Sequence, residues 1–262
     1  MRSLVALNAF VLLPALAGAQ GAPGTNLRVD VRVTRFEMRG DTGRVEYVVR
    51  NRPESAEELF RFRVEAPSAV LRITRPDPAE RWVTSTVSKG LSMAGWGLLG
   101  THLGPGAESP PLSFAAIGLP AIVTYYASGW FPVPPYRPVQ PGPSPAPRDA
   151  ILANSVPGQT VGIEPFPEDR SPGNLLARLT GLRRQSCALG WITSDGVCHS
   201  LEVKLDAATA SLSRSDAPSA QGQLGAFLGE LEAQHGSQPG KHVTDNAYWL
   251  LKVNAEFLLG RL

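Results

Sequence analysis

The sequence predicts two domains of different class, an N-terminal all-β sandwich and a C-terminal four-helix α-bundle, joined by a proline-rich linker. Three observations predict this arrangement. Apolar and polar residues alternate before residue 131, prolines dominate the stretch that follows, and apolar residues recur every three or four positions after residue 172. A period of two is typical of half-buried strands, and a period near 3.6 is typical of amphipathic helices. The predicted boundaries are 24–130 for the sandwich, 131–172 for the linker and 173–262 for the helical domain.

The residues before the sandwich have the pattern of a signal peptide. Arg2 precedes an apolar run from Leu4 to Leu16, and Ala17-Gly18-Ala19 supplies the small-x-small motif that precedes cleavage. We therefore expect residues 1–19 to be removed after Ala19 and the chain to be periplasmic or extracellular. The apolar run is shorter than the roughly 20 residues that cross a bilayer, so no transmembrane anchor is expected.

The first half of the chain predicts about seven short strands, which is typical of a β-sandwich. Residues 27–50 are expected to form a hairpin around the turn Gly40-Asp41-Thr42-Gly43, because apolar and polar residues alternate on both sides of it. Tryptophans at 82, 96 and 130 border apolar strands and are expected in the core or over sheet edges. Further strands are expected at 60–65, 70–74, 82–87, 112–115 and 122–126.

The linker prediction depends on proline content. Residues 131–148 contain eight prolines, which remove backbone donors and fix φ. We expect a semi-rigid spacer that extends about 3.1 Å per residue. The alternative is a ligand for a proline-recognising module. Residues 149–172 are expected to continue as a loop, and the segment 160–163 has the composition of one further strand.

Capping residues mark the starts of the four predicted helices. Each precedes an amphipathic stretch, and Pro218 falls in the first turn of the third helix, where proline is tolerated. The candidate caps, in chain order, are Ser171 or Asn174, Ser194 or Asp195, Asp216, and Thr244 or Asp245.

The two cysteines, Cys187 and Cys198, flank the connector between the first two helices and are expected to form a structural disulfide. Their spacing does not match a redox CxxC motif, and two free thiols are unusual in an exported chain. Closing a loop of about twelve residues contributes about 3 kcal/mol in the chain-entropy model. We expect Leu189, Trp191 and Ile192 to pack beneath this loop onto the bundle.

The helical half resembles a FIMAH-type domain, a small helical module attached to bacterial extracellular enzymes and surface proteins. The resemblance covers residues 174–262: NLLARLTGLRRQSCALGWITSDGVCHSLEVKLDAA, then LGAFLGELEAQHGSQPGKHVTDNAYWLLKVNAEFLLGRL. The matching features are the aliphatic helix faces, the connector turns, Phe227 before a glycine-containing break, and the Asp245-Asn246-Ala247 helix start. The resemblance implies an accessory role in interaction or attachment, without an active site.

The first half is similar in pattern to the immunoglobulin-like sandwiches of secreted bacterial proteins. The similarity lies in a strand with Trp82, the loop 90–100, the Pro105-Gly106 turn, a strand with Phe114, and the strand 120–126. It implies an immunoglobulin-like fold and assigns no functional residue.

The sequence contains no clear catalytic motif. Ser92 lies in a Gly-Leu-Ser-Met-Ala segment that lacks the final glycine of a nucleophile elbow. The histidines at 102, 199, 235 and 242 match neither a serine triad nor a zinc-ligand spacing. Glu54, Glu57 and Glu58 form an acidic loop cluster. We expect no catalytic, cofactor-binding or metal-binding residues, and no cofactor.

Charge excludes one class of partner. The formal net charge is +2 and the arginines are scattered along the sequence, so no nucleic-acid-binding stripe is expected. The sequence therefore predicts a secreted, non-enzymatic binding or scaffold protein whose ligand is an extracellular protein or a polysaccharide. The alternative is a secreted esterase-like or peptidase-like hydrolase that uses the glycine-rich loop 88–106.

Overall fold

The computed structural model describes residues 26–77, 81–87, 92–130 and 155–262. The expected signal peptide and the proline-rich stretch 131–154 lie outside the described residues. The described residues form nine strands and four helices. The strands are β1 Val29–Arg39, β2 Thr42–Asn51, β3 Leu59–Glu65, β4 Val70–Thr74, β5 Trp82–Val87, β6 Met93–Leu98, β7 Leu112–Ile117, β8 Leu119–Gly129 and β9 Val156–Glu164. The helices are α1 Pro172–Ala188, α2 Asp195–Ser213, α3 Ala217–Gln234 and α4 Asp245–Leu259.

The strands form two antiparallel sheets. One has the order β1-β2-β7-β4 and the other has the order β5-β6-β3-β8-β9. Aromatic side chains join the inner faces: the ring of Tyr47 from β2 lies 6.0 Å from that of Phe62 on β3, which stacks on Trp96 at 6.1 Å. The Tyr47 hydroxyl also donates a 2.7 Å hydrogen bond to the Val161 carbonyl of β9. Tyr47 therefore fixes the two sheets to each other.

The predicted fold class, an all-β immunoglobulin-like domain followed by a separate four-helix bundle, is wrong. The structure is a mixed α/β arrangement in which the helices of the C-terminal half pack on the sheets. Strand β9, within the range 131–172 predicted as linker, pairs with β8 from Leu119↔Glu164 to Ala127↔Val156. Helix α4 contacts β1, β8 and β9, and the buried residues of sheets and helices form one hydrophobic cluster.

The physical reason for the error lies in β9. Its Val161 and Ile163 are fully buried, yet prolines and glycines surround them in sequence. Because β9 is an edge strand, it tolerates Pro157, which a central strand does not. The two buried aliphatic side chains complete the core between the sheets and the helices, and composition alone did not reveal that.

Polar side chains of the helices bond to backbone groups of the sheets. On α4, Asn246 accepts from the Val33 amide at 2.8 Å and donates to the Val31 carbonyl at 3.1 Å. Farther along α4, Asn254 donates to the Pro120 carbonyl at 3.0 Å. Strand β1 is an edge strand, so Asn246 pairs backbone groups that have no neighbouring strand. We call this contact between the helices and the sheets the seam.

A second polar contact of the seam comes from α1. Arg178 donates to the Pro120 carbonyl at 2.9 Å and forms an ion pair with Glu164 at the end of β9. These contacts satisfy groups that a separate helical bundle would leave to water. No helix among the described residues combines the length and the apolar character that crossing a bilayer requires.

The helix starts follow the capping pattern. The side chains of Ser194, Asp216 and Thr244 each accept a hydrogen bond from the backbone amide three residues later. Ser171 precedes α1 without a side-chain cap, and a proline occupies the first position of that helix. Local sequence therefore determines where three of the four helices begin.

The connector from α1 to α2 is closed by a disulfide between Cys187 and Cys198, with the Cα atoms 6.2 Å apart. Gly190 turns the chain with φ of +69°, a conformation that favours glycine. Of the three connector residues expected to pack on the helices, Ile192 is buried, Trp191 is half-buried and Leu189 is 41% exposed. Only Ile192 packs fully as expected.

Candidate binding cleft

A cleft of about 500 Å³ opens at the seam, between the sheets and the loops that connect the helices. This volume lies within the range of about 300–1,000 Å³ that is typical of small-molecule sites. The sheets contribute Val29, Asp30, Val31, Arg32, Arg52, Tyr125 and Gln159, and the helical part contributes Trp191, Gly236, Ser237, Thr244, Asp245 and Asn246. We call it the seam cleft.

The helical wall of the seam cleft is built from two loops that bond to each other. Trp191 lies within the disulfide-closed loop, and its carbonyl accepts a 2.9 Å hydrogen bond from the Thr244 amide. The next residue, Ile192, forms a β-bridge with Val243 in the loop between α3 and α4. The backbone at Trp191 is therefore restrained by the Cys187–Cys198 disulfide and by hydrogen bonds to the loop between α3 and α4.

The sheet wall of the seam cleft contains Tyr125 on β8. Its ring lies 5.7 Å from that of Phe62, and burial raises the pKa of the Tyr125 phenol above its ordinary value. The ring also lies over Gly158 of β9, where an added Cβ would come within 2.3 Å of it. The Tyr125 ring can therefore lie over residue 158 only because that residue is a glycine.

Beside Tyr125, an exposed ion pair joins Asp30 and Arg52. The Arg52 Nε donates to the Asp30 carboxylate at 2.7 Å, and this hydrogen bond raises the pKa of Arg52. The pair fixes a guanidinium and a carboxylate at the edge of the seam cleft, where both keep hydrogen-bonding capacity for a ligand.

A second polar group lies where α4 begins. Asp245 accepts from Arg32 of β1 at 3.5 Å, and its other oxygen lies 2.6 Å from His235 Nε2. The His235 ring stacks on Tyr248 with a centroid distance of 3.9 Å and an interplanar angle of 5°. Asp245 therefore links the end of α3, the start of α4 and the edge strand of the first sheet.

The His235–Asp245 pair resembles the base and orienting acid of a hydrolase but lacks the third component. Ser237 lines the seam cleft, yet no hydrogen bond joins its hydroxyl to His235 in the described part of the chain. A nucleophile within hydrogen-bond reach of the base is the geometry that such catalysis uses. The arrangement provides aromatic surface and hydrogen-bonding groups around the cleft.

The hydrolase alternative depended on the glycine-rich loop 88–106, in which Ser92 and His102 lie on opposite sides of β6. Ser92 precedes β6 and His102 follows its far end, and a strand of six residues spans about 20 Å. Residues 88–91 of the loop 88–106 lie outside the described residues. His102 instead bonds to Glu58 at 3.1 Å and lies 4.5 Å from the Trp130 ring.

The other candidate residues are also dispersed. His199 is exposed on α2, and His242, in the loop between α3 and α4, lies 3.2 Å from the Thr193 hydroxyl. Within the described ranges, no three His, Cys, Asp or Glu side chains come together as a metal site. Sequence reasoning missed the seam cleft because its walls join residues up to about 200 positions apart in the chain. Trp191, an aromatic residue inside a disulfide-closed loop, was the one local signal.

Comparisons with known proteins assign no family. No family model matches the chain, and no curated protein matches it. Two structures of the GH20 exo-β-N-acetylglucosaminidase of Vibrio harveyi, an inactive mutant and the complex with N-acetylglucosamine, align with TM-score 0.27 and 12% identity. They cover 55% of this chain and 18% of the enzyme, so the chain spans less than a fifth of its length. A protein described as pT26-6p aligns with TM-score 0.21 and 7% identity, over 90% of this chain and 47% of that one. Similarity this low indicates neither family nor function, and the FIMAH-type resemblance stays a prediction.

Proposed function

We propose that this protein is an exported, non-enzymatic binding protein and that the seam cleft binds a neutral saccharide. One observation carries the proposal: Trp191 and Tyr125 both line the cleft, one from the helical wall and one from the sheet wall. Both side chains are half-buried, so each ring is held in place and still has accessible surface. Fixed aromatic rings of this kind provide binding surface at a low cost in conformational entropy.

The polar groups of the seam cleft fit the edges of a sugar. A pyranose has apolar C–H faces and hydroxyl groups around its rim. Aromatic rings cover such faces, while carboxylate, guanidinium and amide groups accept from or donate to hydroxyls. The Asp30–Arg52 pair and the exposed Gln159 amide supply these groups beside Tyr125. The chemistry of the site is therefore that of hydroxyl recognition.

The disulfide supports the exported location, because such bonds persist in oxidising compartments. In the finer form of the proposal, residues 1–19 are a signal peptide that is cleaved after Ala19. Intact-mass analysis of protein exported from a Gram-negative host tests this step. The exported product is expected to begin at Gln20, and a product that retains Met1 would show the cleavage assignment to be wrong.

Titration with neutral oligosaccharides tests the binding proposal. A panel of gluco-, manno-, galacto- and N-acetylhexosamine oligomers is screened by calorimetry, and a positive ligand is repeated with Trp191→Ala and Tyr125→Ala. Since stacking on one aromatic ring contributes about 0.5–1.5 kcal/mol, each variant should weaken binding about threefold to tenfold. Trp130→Ala is the matched control, because Trp130 is 40% exposed and does not line the cleft.

Two results would refute this function. The first is no binding of any neutral saccharide of the panel at millimolar concentration. The second is binding that Trp191→Ala and Tyr125→Ala leave unchanged, or that Trp130→Ala weakens as strongly. Turnover of the saccharide that stops in His235→Ala would instead establish an enzyme and would show the non-enzymatic assignment to be wrong.

A further inference from the structure

The outer face of the four-stranded sheet contains a second concave site, separate from the seam cleft. Strand β7 lies between β2 and β4, and its outward side chains Ser113 and Ala115 are short. Longer side chains on the neighbouring strands leave a depression of about 260 Å³ above Ala115. This far exceeds the roughly 10–15 Å³ that one water molecule requires.

Two arginines flank this depression symmetrically. In the register of the sheet, Arg44 on β2 and Arg72 on β4 are both direct cross-strand partners of Ala115. Adjacent strands lie about 4.8 Å apart, so the two arginine backbones are about 10 Å from each other. Side chains of this length reach across Ala115 from both sides, because the alanine does not obstruct them.

A third arginine, Arg39 at the end of β1, completes the rim, and Thr42 and Thr74 add hydroxyl groups. We call this site, lined by Arg39, Arg44 and Arg72, the arginine depression. In the described part of the chain, none of the three forms an ion pair with a carboxylate, and Arg44 donates to the Ser113 hydroxyl at 3.1 Å. Glu37, the acidic residue of the rim, is paired with Arg35.

The three guanidinium groups of the rim outnumber its one carboxylate, Glu37, which is the cross-strand partner of Arg44 and is paired with Arg35. The rim therefore keeps a net positive charge that a bound anion would offset. Guanidinium presents a planar fork of N–H donors that matches the oxygens of phosphate and sulfate. No local pattern in the sequence marks this cluster, because Arg39 and Arg44 of the β1–β2 hairpin come close to Arg72 only through the pairing of β2 and β4 with β7.

We propose that the arginine depression is a binding site for a phosphate or sulfate group. The group is either a free oxyanion or part of a sulfated polysaccharide, and the two sources present the same tetrahedral oxygens to the arginines. None of the residues that line the seam cleft lines this site, so it is a second function of the chain and does not depend on saccharide binding in the cleft.

Calorimetry on the full chain at low ionic strength tests the proposal, with sodium pyrophosphate, sodium sulfate and dextran sulfate as probes and neutral dextran as the reference polymer. Wild type is compared with Arg44→Ala/Arg72→Ala, with Arg44→Lys/Arg72→Lys, and with Arg184→Ala. Arg184 is an exposed arginine of α1 outside the depression, so its variant controls for the loss of one positive charge elsewhere on the surface, while the lysine variant keeps the net charge unchanged.

We expect the double alanine variant to weaken oxyanion binding at least about tenfold, since two charge-assisted hydrogen-bonding groups are lost. The lysine variant should also bind the oxyanions several-fold more weakly, because an ammonium group cannot form the planar fork of a guanidinium. The affinity of Arg184→Ala for the anionic probes should stay within about twofold of the wild-type affinity. Raising the salt concentration to 0.5 M should weaken wild-type binding. Circular dichroism checks that each variant keeps its fold.

The probes distinguish the two sources. Binding of pyrophosphate or sulfate that is lost in the double alanine variant supports a site for the free oxyanion. Binding of dextran sulfate alone, lost in the same variant, supports a polymer-borne group. The proposal is overturned if no anionic probe binds, if the double alanine or lysine variant binds like wild type, or if Arg184→Ala loses as much as the double variant.

Discussion

Asn246→Ala is the substitution that tests most directly whether helices and sheets form one cooperative unit. Asn246 is 7% exposed, and its side chain bonds to two backbone groups of the edge strand β1. Alanine removes both partners, so the Val33 amide and the Val31 carbonyl lose their hydrogen bonds. Val33 is fully buried, and water therefore does not easily replace the lost acceptor.

The expected cost follows from these two bonds. A buried donor left unpaired costs about 1–3 kcal/mol, and the loss of an ordinary hydrogen bond costs about 1 kcal/mol more. The free energy of unfolding should therefore fall by about 2–4 kcal/mol. For a chain of this size each kcal/mol lowers the melting temperature by about 2–4 °C, so we expect a decrease of about 5–15 °C.

Urea unfolding followed by two probes measures this effect. Far-ultraviolet circular dichroism reports mainly on the helices. Tryptophan fluorescence reports on the sheets, through the buried Trp96, once Trp191 and Trp249 of the helical half are replaced by phenylalanine in every protein compared. Both transitions should move together in Asn246→Ala, because the seam couples them. Asn174→Ala is the control: Asn174 is exposed, and its removal should change stability by less than about 0.5 kcal/mol.

Two outcomes would contradict the reasoning about Asn246. One is a loss of stability no larger than that of the Asn174 control. The other is a shift of the helical transition alone while the fluorescence transition stays in place, which would mean that the helices unfold independently of the sheets.

Three further predictions concern the core and the disulfide. Tyr47→Phe removes the donor to the Val161 carbonyl and should cost about 1–2 kcal/mol at neutral pH. Burial raises the pKa of Tyr47 well above 10.0, so the neutral phenol contributes its full stabilisation below pH 10, and this contribution decreases at higher pH. In urea unfolding, the difference in stability between wild type and Tyr47→Phe should therefore become smaller above pH 10. A difference that does not change with pH would mean that the folded protein does not shift the ionisation of this phenol. Replacing Cys187 and Cys198 together by serine should lower the free energy of unfolding by about 3 kcal/mol. It should also weaken saccharide binding, because the loop that carries Trp191 is then no longer closed. An unchanged melting temperature and unchanged binding would contradict both roles of the disulfide. Phe227→Ala, in a fully buried position of α3, should cost about 3–5 kcal/mol in a denaturant titration, and a loss below about 1 kcal/mol would show that this core position is misassigned.

Much of the local structure was predictable from the sequence. The alternation around Gly40-Asp41-Thr42-Gly43 predicted the hairpin that the structure forms between β1 and β2. The predicted caps Ser194, Asp216 and Thr244 begin three helices. These features depend on the side chains of neighbouring residues, which bond to the backbone or face one side of an element whatever lies farther away.

The candidate sites were not predictable in the same way. Trp191 and Tyr125 reach the seam cleft only because β9 pairs with β8 and because α4 docks on β1. Likewise, Arg44 and Arg72 become neighbours only through β7. No local pattern marks such positions, because each wall of a site comes from a different element.

The sequence by itself determined the spacing of apolar residues in each helix and strand, the residues at which three helices start, and the pair of cysteines that the structure joins. Only the tertiary structure decided that the apolar faces of the helices and of the sheets share one core. Periodicity specifies that one face of an element is buried, but it does not specify what covers that face. Here the choice depends on polar contacts between residues distant in sequence: Asn246 pairs with the free edge of β1, and Arg178 pairs with the end of β9. Such contacts satisfy buried backbone groups and charges only in the assembled fold, so their effect is absent from any single segment.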